Sequence, residues 1–591
     1  MTRPENPLQA WTRALARTAP YASGEGAILP DIIAGLAETH GPRPALLAED
    51  ACLTYAELAA RLARHGRWAL AQGIRPGDVV ALMLPNCPDY VAIWLGITAV
   101  GGAVALVNPQ LTGPALRHAL AAASPAHIIV AAALEPALAT LGEPLPVSPV
   151  VWTHGAGGAA RRLDTLIETL PATPLTGQER HPPAPGDLAL YIYTSGTTGL
   201  PKAAKVSHRR VAEWALWFAG MIDTQPDDRM YNCLPMYHSV GGVVAVGAML
   251  AGGGSVLIRD KFSASRFWDD IAEHGCTVFQ YIGELCRYLL NSSPHPRERD
   301  HRLRLCCGNG LRGDIWEAFQ QRFAIPRILE FYAATEGNLS LYNVPGRPGA
   351  IGQVPGFLAH RFPVAIVRCD PETRALLRGP DGLCLPCEPD EPGEALGRIG
   401  GGGTHGRPFE GYTDPNASEA KIAHDVLAPG DAWFRTGDLM RRDKAGFFYF
   451  VDRLGDTFRW KGENVATDEV AGVLAAAPGV TDAVVYGVAV PGAEGRAGMA
   501  ALTVGPDFDL AGFRVHAAAR LPDYARPLFL RLAGSIAATA TFKPAKAHLA
   551  REGYDPRQVR DALLFDDRAR GAYVPLDDAL HAALREGQVR V

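Results

Sequence analysis

Apolar residues along this chain fall into two patterns. Short unbroken runs at 79–84, 128–132, 188–193, 256–258, 303–306 and 328–332 have the length of buried strands. Between them, apolar residues return every three or four positions, as over 54–71 and 207–221, which predicts helices with one buried face. The alternation holds from about residue 45 to 340 and predicts α/β layers. From about 350 to 450 brief strands are separated by turn signals at Asp370-Pro, Asp381-Gly, Pro392-Gly and Lys444-Ala-Gly, which predicts a small β-rich subdomain. After Arg453 a last α/β pattern runs to about Leu564, with helices at 467–477 and 510–521 and strands near 483–490 and 499–504. No repeat of 20–50 residues is visible, which argues against a solenoid.

Two apolar segments carry two readings each. The run from Tyr90 to Val107 is long enough to span a bilayer. Gly101-Gly102 interrupts it and Pro88 and Pro109 bracket it, so a buried helix over 89–99 followed by a strand over 103–107 fits better. Near the start, Leu8, Trp11 and Leu15 share a helical face with Arg13 and Arg17 off it. That face could rest on an anionic membrane or pack on its own domain, and packing is favoured.

At 591 residues and 48% apolar, the chain can bury sizeable cores in roughly two to four domains. With 57 Lys+Arg against 62 Asp+Glu, the net charge of −5 offers no basic footprint for nucleic acid. The ten cysteines show no regular framework and read as reduced thiols. Cys384-Leu-Pro-Cys387 has the spacing of a zinc knuckle, but no second pair follows nearby, so loop thiols are the better reading. No basic start precedes an apolar core, and no signal peptide is expected.

The candidate chemistry begins where the apolar strand at 188–194 runs into Thr194-Ser-Gly-Thr-Thr-Gly-Leu-Pro-Lys202. A short apolar stretch, 203–206, and a helix from Ser207 follow. Small residues let backbone N–H groups approach phosphate oxygens, and Thr194, Ser195, Thr197, Thr198 and Lys202 supply further donors. The P-loop pattern fails, because Gly196 and Gly199 are too close and Pro201 precedes the lysine.

Tyr193–Lys202 resembles the signature loop of the adenylate-forming enzymes, which include acyl-CoA synthetases, peptide-synthetase adenylation domains and luciferases. Phe331-Tyr-Ala-Ala-Thr-Glu-Gly337 is similar to their aromatic-x-x-Thr-Glu element, and Arg435-Thr-Gly-Asp-Leu439 to their ribose-binding element. The stretch from Asp452-Arg453 to Glu463-Asn464 resembles their domain junction. Order and spacing agree over roughly residues 50 to 560. The wording of Phe331–Asn338, Gly455–Val465, Cys307-Gly-Asn-Gly-Leu-Arg312 and Tyr524-Ala-Arg-Pro527 resembles the very-long-chain acyl-CoA synthetase and fatty-acid-transport-protein group.

The resemblance implies an α/β fold: a large N-terminal domain of two α/β subdomains plus the small β-rich one, residues 1–452, and a smaller mobile α+β C-terminal domain, residues 453–591. It implies a two-step reaction. A fatty carboxylate attacks the α-phosphorus of ATP to give acyl-adenylate and pyrophosphate, and the thiol of coenzyme A then displaces AMP. Both steps build negative charge in a partly dehydrated site, which calls for fixed donors, a lysine and Mg2+.

On the same resemblance, Thr194, Ser195, Gly196, Thr197, Thr198, Gly199 and Lys202 would cradle the β- and γ-phosphates. Thr335 would donate to the α-phosphate, and Glu336 would supply the oxygen ligand that Mg2+ prefers. Tyr332 would lie on the adenine face, with Gly308, Asn309 and Gly310 along its edge. Asp438 would accept both ribose hydroxyls and Arg453 would add a charged donor. His238, in Pro235-Met-Tyr-His238-Ser, would border the acyl pocket, for which apolar residues from Met236 to Met249 could serve equally as a buried helix. Lys543 would bridge carboxylate and phosphate, with Lys546 as the nearby alternative. The loop at Lys461-Gly462-Glu463 would then swing toward the thiol tunnel.

Three positions depart from the wider family: Gly455 where Asp or Lys is usual, so that the hinge falls at Gly455 or Asp456; Phe542 before the lysine; and Ala333 after Tyr332. All three fit the fatty-acid-transport branch. The expected substrates are a long- or very-long-chain fatty acid, ATP and coenzyme A, in the cytoplasm, with any membrane contact peripheral at the inner face of the plasma membrane. A ligase for sterol-side-chain or bile-acid carboxylates, an acyl-AMP ligase loading a carrier protein, and a fatty-acid carrier without catalysis are the rivals. Intact Lys202, Glu336, Asp438 and Lys543 argue against the last, since acyl binding alone needs none of them.

Overall fold

Helix α1 (Pro7–Ser23) settles the first of the two ambiguous segments. In the structure, a computed structural model that describes residues 6–195, 201–370, 373–400, 408–460, 463–491, 493, 495–536 and 546–589, Trp11 is buried against Trp217, Tyr342 and Phe362. Leu15 packs on the same core while Leu8 stays exposed. Trp11 and Leu15 of that face are therefore packed on their own domain, and Leu8 is not. Helix α2 (Tyr55–Ala71) starts from a reciprocal cap between Thr54 and Glu57.

Strand β1 (Val79–Met83) is followed by α3 (Pro88–Ala99), which is buried on nearly every side. Gly101, at φ +92°, turns the chain into β2 (Ala103–Leu106), so the 90–107 run is a buried helix and a strand. Among the described residues no helix is long and apolar enough to cross a membrane. With β3 (His127–Ala131), β4 (Leu188–Ser195) and β5 (Pro201–Ser207), these strands form a sheet in the order Arg161–Arg162, Val150–His154, β3, β1, β2, β4, β5. All its pairings are parallel except β4 with β5, an antiparallel hairpin in register from Leu190–Val206 to Ser195–Pro201. The apolar stretch at 203–206 is thus a strand, and the phosphate-loop candidate has Thr194 and Ser195 at the end of β4 and Lys202 near the start of β5, with 196–200 outside the described residues. Helix α4 (His208–Met221), capped by Ser207, packs beside α1.

The larger sheet has 14 strands among the described residues. One half is parallel and includes β6 (Val278–Ile282), β7 (Leu305–Asn309) and β8 (Ile328–Ala333). The other half is antiparallel: β9 (Ser340–Asn343), β10 (Gly352–Gln353), β11 (Gly393–Arg398), β12 (Ala432–Arg442) and β13 (Phe447–Arg453). The β-rich segment therefore continues the α/β sheet edge to edge, through β8–β9–β10–β13–β12–β11. Cys384 is buried and Cys387 half-buried in this region, and burial raises both thiols, Cys387 to about 12.

Sheet membership changes after Arg453. A hairpin (Phe458–Trp460 with Glu463–Val465), helix α5 (Thr467–Ala475) and a five-stranded sheet spanning Val480 to Pro575 share a separate core around Leu474, Val485, Met499 and Phe529. Arg287 ties this unit to the large sheet, donating to the Thr481 carbonyl at 2.6 Å and pairing with Asp482 at 3.1 Å.

Candidate functional site

Open α/β sheets bind ligands beyond the carboxyl ends of their parallel strands, and four of the predicted residues gather there. Gly308 and Asn309 end β7, and Tyr332 lies near the end of the neighbouring β8. A Cβ on Gly308 would sit 2.2 Å from the Tyr281 carbonyl oxygen of β6, so only glycine fits. Gly310, at φ +82°, completes the turn. Glu330, on β8 and 1% exposed, clasps that turn from behind. One of its oxygens accepts the N–H groups of Gly310 and Leu311, and the other accepts the Tyr281 hydroxyl. Burial pushes the Glu330 carboxyl up to about 8. The Asn309 side-chain oxygen is buried and finds no hydrogen-bond partner among the described residues. A buried acceptor in that state has a lone pair free for a donor from water or from a ligand.

Asp438 lies within hydrogen-bond reach of Tyr332, in a shape the sequence Arg435-Thr-Gly-Asp imposes. Arg435 pairs with the buried Glu394 of β11 at 2.6 Å, and the Gly437 N–H reaches the same carboxylate at 3.1 Å. The β11–β12 register shifts there, and Gly437 takes φ +76°. Thr436 donates to the Ala395 carbonyl at 2.7 Å and accepts the Asp438 N–H at 3.0 Å. The Asp438 carboxylate then receives the Tyr332 hydroxyl at 2.6 Å and faces Arg453 at 3.7 Å, its direct partner in the β12–β13 register. Burial and the adjacent Asp438 raise the Tyr332 phenol well above its ordinary range, so it remains a donor.

The third group stands around the β4–β5 hairpin. Thr194 pairs with Lys202 across it. The segment Gly411–Thr413 runs along the outer edge of β5, with Lys205 N–H on the Gly411 carbonyl at 2.9 Å and Thr413 N–H on the Ala203 carbonyl at 3.0 Å. That places the Tyr412 ring beside Lys202, 5.7 Å from Nζ to the ring centre, and its hydroxyl on Glu336 Oε1 at 2.8 Å. The neighbouring Thr335 hydroxyl meets Ser239 at 2.9 Å. Ser239 opens a wide π-helical turn (Ser239–Ala245) directly after His238. A Cβ on Gly242 would lie 1.9 Å from the Met236 carbonyl oxygen, so glycine lets the turn fold back on the Pro235–His238 element. His238 is half-buried, its ring 4.3 Å from that of Tyr237. Buried Arg210 of α4 donates to the carbonyls of Thr335, Glu336 and Pro408 at 3.2–3.3 Å. It also approaches Glu410, which holds the Ser207 N–H and hydroxyl at 2.7 Å.

The structure thus brings Tyr332, Asp438 and Arg453 into one cluster, and Thr194, Lys202 and Glu336 into another. Thr335 adjoins the second through the chain and points to the His238 element. Ser195 ends β4. Gly196, Thr197, Thr198, Gly199, Gly462 and Lys543 lie outside the described residues. Lys546, the alternative lysine, is engaged elsewhere: it donates to Asp468 at 2.6 Å and Thr467 at 2.7 Å, and faces Asp456 at 3.5 Å. Glu330, Arg210, Ser239, Glu410 and Tyr412 were not among the expected residues. Only Glu330 left a mark in the sequence, as a lone acid inside an apolar run.

Among the described residues no group of three or more His, Cys, Asp or Glu could hold a metal ion. An ion at Glu336 would need most of its oxygens from elsewhere, the usual arrangement for Mg2+ on one carboxylate plus phosphates and water.

Comparison with known proteins agrees with this layout. The family model described as AMP-binding enzyme matches residues 35–398. Long-chain fatty acid transport protein 1 of Mus musculus is 42% identical over 576 residues, covering 95% of this chain and 88% of that protein. The anthranilate CoA ligase AuaEII, solved with anthranoyl-AMP, has a TM-score of 0.75 at 20% identity, over 88% of this chain and 95% of its own. ATP-bound MatB from Rhodopseudomonas palustris has a TM-score of 0.73 at 23% identity, over 88% and 98%. At those identities the two solved structures share the fold.

Proposed function

The chain belongs to the AMP-binding enzyme family, and from that premise we propose that it is a long- or very-long-chain fatty acyl-CoA synthetase. It would join a fatty carboxylate to AMP, release pyrophosphate, and pass the acyl group to coenzyme A. The observation that carries the reading is a set of parts suited to a nucleotide: an acceptor for ribose beside Tyr332, a glycine-lined slot with an orphan acceptor on the adjacent strand, and a hairpin whose Thr194 and Lys202 lie beside the Tyr412 ring that bonds Glu336. Asp438 suits the two ribose hydroxyls, and Asn309 suits the amino group of a purine. The fatty-acid part rests on the name of the transport protein at 42% identity. Coenzyme A as acceptor is supported by the ligases that share the fold.

Within this reading Tyr332 and Gly308–Gly310 hold adenine, Asp438 and Arg453 the ribose, and Thr194, Ser195 and Lys202 the phosphates, together with Gly196, Thr197, Thr198 and Gly199. Thr335 donates to the α-phosphate and His238 borders the acyl group. Glu336 would hold Mg2+, which when bound offsets phosphate charge. Residues 1–452 form the large domain and 453–591 the mobile one, joined by the turn at 454–457, where Gly455 takes φ +116°. Lys543, on the mobile domain, bridges carboxylate and phosphate in the first half-reaction, and Gly462 travels with the same domain to the thiol side in the second.

The test is AMP release with Mg-ATP and coenzyme A over carboxylates from acetate through palmitate to tetracosanoate, with a cholate-type acid included. A maximum at long straight chains is expected. Turnover only on the steroid acid, or only with a carrier-protein thiol, would overturn the substrate while keeping the adenylation chemistry.

A further inference from the structure

Tyr412 is 3% exposed, yet its hydroxyl is not spent on the core. It donates to Glu336 Oε1 at 2.8 Å, and the Thr194 hydroxyl also reaches it. The ring packs against Ala204 and Ala417 and carries Lys202 at 5.7 Å. Its backbone is pinned on three sides: its own N–H donates to Ser418 Oγ at 2.9 Å, and Gly411 and Thr413 flank it with strand-like bonds to β5. One side chain therefore touches the hairpin, its lysine and the Glu336 carboxylate.

We propose that Tyr412 is a positioning residue for the magnesium ion of the nucleotide: its hydroxyl fixes the Glu336 carboxylate so that the second oxygen is presented to the metal, and its ring seats Lys202 alongside. The inference rests on the reading of Glu336 as the magnesium ligand. A carboxylate at the end of a flexible stem loses rotamer freedom when it binds a cation, and an anchored oxygen removes part of that cost beforehand. A phenol suits the task because it donates a hydrogen bond without neutralising the charge, whereas Lys or Arg in its place would compete with the metal.

Calorimetric titration of the full chain with ATP, with and without Mg2+, tests this on the unaltered protein, Tyr412→Phe, Glu336→Gln and the double variant. The unaltered protein should bind Mg-ATP more tightly than metal-free ATP. Tyr412→Phe should lose about ten-fold in Mg-ATP affinity, the scale of one hydrogen bond to a charged group, with metal-free ATP changed by less than about two-fold. Glu336→Gln, which leaves the Tyr412 ring in place, should lose the magnesium preference, and adding Tyr412→Phe to it should cost nothing further. Equal losses in both titrations, or losses that multiply in the double variant, would overturn the assignment of Tyr412 alone. An unaltered protein that binds neither form of ATP would overturn the functional reading as well.

Discussion

Asp452 and Arg453 are neighbours on β13, and successive side chains of a strand face opposite ways. One residue step therefore separates the nucleotide side of this protein from its joint. Arg453 faces Asp438, whose place is set by sheet register, a β-bulge and the Tyr332 hydroxyl, all within the large sheet. Asp452 is fully buried on the other side. It accepts the N–H groups of Arg453 and Thr467 and the hydroxyls of Thr457 and Thr467, and beside it Lys546 bridges Asp456 and Asp468. The nucleotide side is held by backbone pairing that must persist. The joint is held by side chains of Thr457, Thr467 and Lys546 around Asp452, bonds that could be exchanged for others if the small domain rotates as proposed. Backbone pairing and side-chain bonding thus divide between the two faces of a single strand.

The largest effect that would break this comparison is at Asp438. Asp438→Ala removes the acceptor proposed for both ribose hydroxyls, and the KM for ATP should rise about ten- to a hundred-fold while that for the fatty acid stays nearly constant. An unchanged KM for ATP would remove Asp438 from the nucleotide side.

A smaller effect sharpens the contrast through pH. Burial raises Glu330 from 4.5 to about 8. Burial, reinforced by Asp468 and opposed by Lys546, raises Asp452 from 3.8 to about 6. In each window the folded state holds more protons than the unfolded one, so stability falls as pH rises through it. Glu330→Gln should flatten the pH dependence of unfolding between about 4.5 and 8 by up to about 1.4 kcal/mol per pH unit. Asp452→Asn should flatten it only between about 3.8 and 6, and by less, because Lys546 compensates part of the charge. Denaturant unfolding across pH 4–9 measures both. Identical windows for the two variants would mean that the buried carboxyl behind the nucleotide side, on β8, and the one at the joint, on β13, do not differ in the way described.

Much of this site could be read from residues that are close in sequence. The strands expected at 188–193, 303–306 and 328–332 follow from local pattern and lie within or overlap β4, β7 and β8, while the Thr335-Glu336 pair and the Arg435–Asp438 turn were legible through the family resemblance of short contiguous motifs. What escaped was made by distant pairing. The stretch at 203–206 is interrupted by Lys205 and carries two alanines, so it gives no strand signal of its own, and it becomes a strand because β4 lies beside it. Tyr412 is an unremarkable aromatic in a turn-rich region until its bridge with Ala204 carries it to Glu336. Arg210 reads as the solvated first turn of an amphipathic helix, yet it spans to carbonyls more than 100 residues away. The continuity of the β-rich segment with the α/β sheet depends on two-residue strand β10, which no periodicity could reveal.

The central claim is that the carboxylate is activated on AMP before any thiol takes part. Exchange of labelled pyrophosphate into ATP, with palmitate and Mg2+ present and coenzyme A omitted, tests it most directly. The account predicts exchange that depends on the fatty acid and proceeds without coenzyme A. No exchange with any fatty acid, or exchange that appears only when coenzyme A is added, would contradict it.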